Sequence, residues 1–135
     1  MVRVAPSTVG ARSEMAVMSA VQRAGMDVFV PICGAHSRTD LVIAHQAELL
    51  RVQVKTCRLG EGLLVFPACS HTGRVNESYH GQVDAFAAYS PDLDLVYLVP
   101  IDDVPSRLCT LRLAPPKNNQ ALKIRWAADY LIGPP

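Results

Sequence analysis

The alternation of apolar and polar residues over positions 49–57 restricts the fold of this chain more than any other feature. Successive side chains of a β-strand point to opposite faces, so Val52 and Val54 share one face while Gln53 and Lys55 share the other. The valines indicate a face that packs on a core, and the polar pair indicates a face open to chemistry. The segment predicts a long, half-buried β-strand that carries an amide and an ammonium on the same side.

A second candidate strand, residues 41–44, lies just upstream and directly follows Asp40. The linking residues 45–48 are few enough for an antiparallel hairpin between this strand and the long one. That pairing would bring the Asp40 carboxylate to the polar face of the long strand. Glu14, in a helix predicted over residues 10–24, would be able to join it there.

The rest of the sequence predicts further strands, one ambiguous segment and a terminal helix. Residues 83–89 fit either a helix or a strand, and the apolar run at 95–101 is typical of a buried central strand. A helix at 83–89 gives an α/β fold with an αβββαβ core: a mixed central sheet flanked by helices, plus a C-terminal strand and helix. The other expected elements are strands at 27–32, 63–66 and 110–113, an exposed loop at 70–78 and a helix at 120–131.

Length and composition fit a single domain that spans residues 1–135. Hydrophobic residues make up 50% of the chain, which suffices for one core at this length. With 13 basic and 12 acidic residues, binding to nucleic acid would depend on a local surface or on oligomerisation. No apolar run approaches the roughly 18 residues of a membrane span, and the N-terminus has no secretory core, so we expect a cytoplasmic protein without a membrane partner. Its dispersed cysteines are expected to be free thiols, mostly buried.

Short phrases in a fixed order carry a family resemblance. They are Gly-Ala-Arg-Ser-Glu at 10–14, Arg-Thr-Asp-Leu-Val at 38–42, Leu-Arg-Val-Gln-Val-Lys-Thr at 50–56, Tyr79 with Val83 and Asp84, and Val-Tyr-Leu-Val-Pro at 96–100. Together with the predicted strand order, they resemble the PD-(D/E)xK, or restriction-endonuclease-like, nuclease superfamily. Within it, the Gln-x-Lys motif is most similar to the group I intron-associated homing endonucleases, in which glutamine replaces the second acid. The chain is also similar to archaeal-type Holliday junction resolvases.

The resemblance implies a Mg²⁺-dependent DNA endonuclease, with Mn²⁺ as a substitute ion. Asp40 would be the principal metal carboxylate, Gln53 and the Val54 carbonyl would add oxygen ligands, and Glu14 would complete the site. Lys55 would hold or activate the attacking water. An all-oxygen set suits Mg²⁺, which prefers octahedral oxygen coordination and keeps several waters. Glutamine in place of an acid removes one negative charge, so we expect weaker metal binding and a larger share for the phosphate oxygens.

The same resemblance implies double-stranded or branched DNA as the partner and a nucleoid-associated location in the cytoplasm. One site of this size cuts one strand, so we expect a homodimer or homotetramer. The residues expected to contact DNA are Arg12, Arg38, Arg51, Arg58, Arg74 and Tyr79.

Other interpretations of these residues stay open at the level of sequence. Any half-exposed strand alternates in this way, an Asp before a strand commonly closes a turn, and an early Glu complements a helix dipole. The histidine and cysteine spacings fit no common zinc site. Thr39 and Gln53 stand where the superfamily motif has proline and an acid. A structure-specific nuclease of the Holliday-junction-resolvase type, and a catalytically weak DNA-binding or assembly protein that retains the fold, are therefore the alternatives.

Overall fold

The computed structural model describes residues 3–33, 37–72, 75–115, 118 and 123–133. Within them, one α-helix accompanies three β-sheets and two short 3-10 helices, Ile101–Asp103 and Ala127–Asp129. The longer elements are α1 (Pro6–Arg23), β1 (Asp27–Phe29), β2 (Leu41–His45), β3 (Glu48–Thr56), β4 (Arg58–Gly60), β5 (Leu63–Pro67), β6 (Cys69–Thr72), β7 (Val75–Ser78), β8 (Ala85–Ser90), β9 (Leu95–Pro100) and β10 (Leu108–Arg112).

Helix α1 begins earlier than the predicted residue 10 because Pro6 occupies its first turn, where a missing N–H costs no hydrogen bond. It ends in a Schellman motif: Gly25, at φ 87°, donates to the Gln22 carbonyl, and the Met26 N–H donates to the Val21 carbonyl. Val17 and Val21, one turn apart, are fully buried against the main sheet. The helix thus presents one narrow apolar stripe to the sheet.

The main sheet has the strand order β1-β2-β3-β8-β9. The predicted hairpin is confirmed, since β2 and β3 pair antiparallel with Leu41 opposite Val52. Strand β3 then pairs parallel with β8, which makes the sheet mixed as expected. The main sheet therefore places the long alternating strand at its centre, between the hairpin partner and the buried β8.

The two faces of the main sheet carry separate cores. On one face, α1 covers a cluster that includes Val52, Val54 and Ile43. On the other face, the small β10-β5-β4 sheet supplies Leu64, Phe66 and Leu111 to a cluster with residues of β8 and β9. Sheets rather than a second helix cover this face in the described part of the chain. The mixed α/β sheet is confirmed, and in this part of the chain α1 is the helix that flanks it.

The ambiguous segment 83–89 is strand β8, so the helix expected in the αβββαβ order is absent from these described residues. Ala85, Phe86, Ala87 and Ala88 are all buried, which requires neighbours on both faces and leaves no polar stripe for a surface helix. The crossover from β3 to the parallel β8 consists of the β4–β7 strands instead. The fold remains the mixed α/β sheet that the sequence indicated.

Three further expectations are corrected. The predicted loop at 70–78 contains the antiparallel pair β6 and β7, with residues 73–74 outside the described part. Strand β9 lies at the sheet edge and not at its centre, but the chain near Tyr130 and Ile132 hydrogen-bonds along it, which explains its burial. The expected helix at 120–131 is wrong over 123–131, where Lys123 adopts φ 61°; residues 120–122 lie outside the described part.

Within the described residues, no helix combines the length and hydropathy that crossing a membrane requires.

Candidate active site

The hairpin of β2 and β3 brings Asp40 to the predicted polar residues of β3. The Asp40 N–H donates to the Val52 carbonyl at 2.8 Å and so extends the pairing one residue beyond β2. The Asp40 carboxylate in turn accepts the Val54 N–H at 2.8 Å. The side chain therefore replaces a backbone ladder partner at the point where β2 ends, which fixes the carboxylate against Val54.

Because side chains alternate along β3, its apolar pair and its polar pair lie on opposite faces of the sheet, as the sequence predicted. Val52 and Val54 are buried beneath α1, whereas Gln53 and Lys55 are half buried on the opposite face. Lys55 lies near enough to Asp40 for its positive charge to lower the pKa of that carboxyl. The acid, the amide and the ammonium thus gather at one end of the hairpin.

Glu14 reaches the same place from α1. Its neighbour Ser13 is fully buried and shares a 2.6 Å hydrogen bond with Thr56 at the end of β3, which anchors the helix beside the site. Burial, and after it the negative charge of Asp40, raises the pKa of Glu14. Glu14 therefore lies within electrostatic range of Asp40.

Asp40 itself has a raised pKa. Burial is the main cause, and the hydrogen bond from Val54 and the charge of Lys55 offset it only in part. Burial is the larger cause in both cases, and it makes the charged form of each carboxylate less favourable. Such a pair would gain from a bound cation.

Gln53 supplies a third feature of the donor set. Its side-chain oxygen, Oε1, is buried and has no hydrogen-bond partner in the described structure. A buried carbonyl oxygen left unpaired costs about 1–3 kcal/mol, so this oxygen is available to bind a cation. With the carboxylates of Asp40 and Glu14 it would form an all-oxygen set, which would suit a hard divalent cation.

Lys55 is held by aromatic side chains. Its ammonium donates to the Tyr79 hydroxyl at 3.1 Å and lies 4.7 Å from the centre of the Tyr79 ring and 5.9 Å from that of Phe86. Tyr79 is only 4% exposed, so in this conformation it does not offer its ring to DNA. The sequence predicts Tyr79 as a DNA contact, whereas in the structure its hydroxyl accepts a hydrogen bond from the Lys55 ammonium.

The arginines expected at the DNA surface occupy different settings. Arg12 and Arg58 are exposed, on α1 and β4, and Arg74 lies outside the described residues. Arg38 lies with its guanidinium carbon 4.3 Å from the centre of the Tyr79 ring. Arg51 is engaged elsewhere: it pairs with Asp84 and donates to the Gly81 carbonyl.

Two residues that matter to the site geometry had no assigned role in the sequence. The Asp84 carboxylate accepts hydrogen bonds from the backbone N–H and from the guanidinium of Arg51. These bonds fix the start of β8 beside β3. The Thr39 hydroxyl donates to the Gln82 carbonyl at 3.3 Å, a bond that the proline of the superfamily motif would not make. Arg51 and Asp84 are 33 positions apart, so no local sequence pattern predicts their contact.

A zinc site finds no support in the part of the chain that is described, where no three histidine, cysteine, aspartate or glutamate side chains converge. Burial, and then the neighbouring Cys109, raises the pKa of the Cys57 thiol to about 12. Cys57 is therefore a protonated core residue at neutral pH.

Comparisons with known proteins bear on the family and the fold of this chain. The sequence profile of the family described as PD-(D/E)XK endonuclease matches residues 5–132. A solved structure titled as that of a bacterial homing endonuclease, I-Ssp6803I, superposes with a TM-score of 0.76, covering 95% of this chain and 89% of that chain at 24% identity. At that identity the likeness shows a shared fold. No curated protein is significantly similar in sequence.

Proposed function

This chain belongs to the PD-(D/E)XK endonuclease family, and we propose that it is a Mg²⁺-dependent DNA endonuclease of the homing-endonuclease type. The observation that carries the proposal is the Asp40 carboxylate fixed by the Val54 N–H at the end of the β2–β3 hairpin, with Gln53 and Lys55 on the adjoining face. An acid, an amide oxygen and an ammonium in that arrangement suit phosphodiester hydrolysis.

Four residues would hold the cation: Asp40, Gln53 and the Val54 carbonyl directly, and Glu14 directly or through water. The unpartnered Gln53 oxygen and the raised pKa of both carboxylates support this assignment. A divalent cation bound there would polarise the phosphoryl group and offset its charge. Mn²⁺ would substitute because it accepts the same oxygen ligands.

The protein side chains divide the remaining work. Val54 orients Asp40, so the carboxylate needs no reorganisation when substrate arrives. The Lys55 ammonium would hold the attacking water and stabilise negative charge on the phosphoryl oxygens as the bond to the 3′-oxygen breaks. Glu14 would orient that water from the helix side. The products would carry 5′-phosphate and 3′-hydroxyl ends, as the resemblance implies.

Incubation of the purified protein with supercoiled plasmid and with four-way junction DNA, in Mg²⁺, Mn²⁺ or chelator, tests the proposal. Asp40→Asn retains the acceptor for the Val54 N–H but removes the charge, so we expect no cleavage by this variant. Asp102→Asn makes the same change at an exposed acid in a 3-10 helix and serves as the matched control.

The possible results distinguish the proposed endonuclease from its alternatives. Cleavage of duplex DNA that requires the divalent ion and Asp40 supports the proposal. A strong preference for the four-way junction would favour the resolvase-type alternative. DNA binding without cleavage in any ion, or undiminished cleavage by Asp40→Asn, would contradict the assignment of this site.

We also propose that the active form is a homodimer or homotetramer that contacts DNA through Arg12, Arg38, Arg58 and Arg74. A single site cuts one strand, and two-fold assembly would present two sites to a duplex. Light scattering with a cognate-length duplex present tests this, and a monomeric mass would count against it.

A further inference from the structure

The contacts of Tyr79 single it out from the other aromatic residues. Its hydroxyl accepts a hydrogen bond from the Lys55 ammonium at 3.1 Å, and its ring centre is 4.7 Å from the same nitrogen. One side chain therefore holds the Lys55 ammonium by two different interactions, a hydrogen bond and a cation–π contact.

Lysine needs such a partner if its charge is to be placed accurately. The side chain has four rotatable bonds, and its ammonium is a compact charge without a preferred direction. Strand β3 fixes only the backbone of Lys55 and the face to which it points. The position of the nitrogen within that face is decided by what it contacts, and Tyr79 is the polar contact described there.

Tyr79 is itself held rigidly. Its side chain is 4% exposed and meets the Phe86 ring edge-on, with the ring centres 5.2 Å apart. Its carbonyl accepts the N–H groups of Gln82 and Val83, which closes a tight turn. The Arg38 guanidinium lies 4.3 Å from the ring centre. A buried ring in a closed turn is a fixed platform.

The turn that carries Tyr79 is tied to both strands of the site. The Thr39 hydroxyl, next to Asp40, donates to the Gln82 carbonyl, and Arg51 of β3 donates to the Gly81 carbonyl. These bonds relate the position of the Tyr79 ring to the start of β2 and to β3. The platform and the proposed metal ligands thus belong to one connected unit.

We propose that Tyr79 is the positioning residue that places the Lys55 ammonium for phosphodiester cleavage. The inference rests on the proposed function, because it gives Tyr79 a role in the same reaction. Tyr79 touches neither the substrate nor the metal and acts only through Lys55. Its contribution therefore belongs to the chemical step and leaves DNA binding unchanged.

Tyr79→Phe tests this, since it keeps the buried ring and removes only the hydroxyl. We expect the single-turnover cleavage rate to fall about tenfold to a hundredfold, the cost of a reacting group displaced by roughly 1 Å, while the Kd for DNA and the Tm stay near wild type. Tyr130→Phe is the control, because its hydroxyl is also bonded to a charged side chain, Asp103, at 3.0 Å. It should cleave at the wild-type rate.

NMR of the lysine side chains gives a readout that needs no activity. Besides Lys55, the chain contains only Lys117 and Lys123, so the spectrum is simple. Ring currents from Tyr79 should shift the Lys55 ε-CH2 protons upfield. That shift should change in Tyr79→Phe, because the released ammonium moves relative to the ring, and should shrink further in Tyr79→Leu, where only the more distant Phe86 ring remains.

The possible results separate the inference from the proposed function. Absent cleavage by wild type, with the Lys55 shift intact, overturns the nuclease activity but supports the Tyr79 contact. Wild-type cleavage that Tyr79→Phe leaves unchanged overturns the positioning role alone. A changed Kd with an unchanged rate overturns it too, since Tyr79 would then act in binding. Unshifted Lys55 resonances in wild type overturn it whatever the activity.

Discussion

The hydrogen bond between Ser13 and Thr56 should couple the docking of α1 to the stability of the whole protein. The two hydroxyl oxygens are 2.6 Å apart, and Ser13 is 1% exposed. Ser13→Ala leaves the Thr56 hydroxyl without its partner, at a cost of about 1–2 kcal/mol for a partly buried group. Alanine is the better helix former by about 0.5 kcal/mol, which offsets part of that cost. We expect a net loss of about 1 kcal/mol.

Thr56→Val should cost less. The Ser13 hydroxyl it leaves behind is able to turn to the Val9 carbonyl of its own helix, one turn earlier. The double variant removes both polar groups, so its free energy of unfolding should return to within about 0.5 kcal/mol of wild type. The cycle therefore predicts a coupling energy of about 1–2 kcal/mol between the two sites.

Urea denaturation followed by circular dichroism measures this cycle. At this chain length about 1 kcal/mol corresponds to a Tm change of about 4 °C, so thermal scans provide a check. Losses that add within about 0.3 kcal/mol would show that the two hydroxyls do not stabilise each other, and the account of how α1 is anchored would fail. The cleavage rate should likewise fall in the single variants and recover in the double variant, because Glu14 is the next residue of the helix.

Two further predictions concern charge in the site, and a third concerns the reactivity of the cysteines. Gln53→Glu adds a negative charge beside Asp40, so calorimetry should show Mg²⁺ binding tightened by about tenfold or more, whereas the exposed control Gln22→Glu should bind as wild type. Burial raises the pKa of Asp40 above its ordinary 3.8 in the folded state, so its ionisation opposes folding. In chelator, Asp40→Asn should therefore be more stable than wild type at neutral pH. This advantage should vanish below about pH 4, where Asp40 is protonated in both the folded and the unfolded state. Equal urea midpoints for the two proteins at pH 7 would refute this. Exposed Cys33 should react at once with a thiol reagent. Cys57 should react only on unfolding, because burial raises the pKa of its thiol to about 12. Mass spectrometry of the labelled native protein decides this.

Local patterns predicted the parts of the fold that depend on local physics. The alternation in β3, the short link to β2 and the first helix each follow from a single segment, and the structure confirms all three. The segment 83–89 was ambiguous because a fully buried strand and a buried helix are both apolar. Burial on two faces, which is a property of its neighbours, made it a strand.

The candidate site likewise contains contacts that local sequence patterns predict and contacts that they do not. The sequence predicted that Asp40, Gln53 and Lys55 come together, because strand periodicity and a tight hairpin are short-range rules. The platform under Lys55 was not, because Tyr79 lies 24 positions from it and reaches it only through the crossover between parallel strands.

By itself, the sequence determined which residues alternate, which strands form a hairpin and which acid, amide and ammonium share a face, since those properties depend on backbone geometry over a few residues. Tertiary structure alone decided that Asp40 would take its hydrogen bond from Val54 and that Tyr79 would support Lys55. Both contacts depend on where separate segments end when they pack together, and packing is a property of the whole chain.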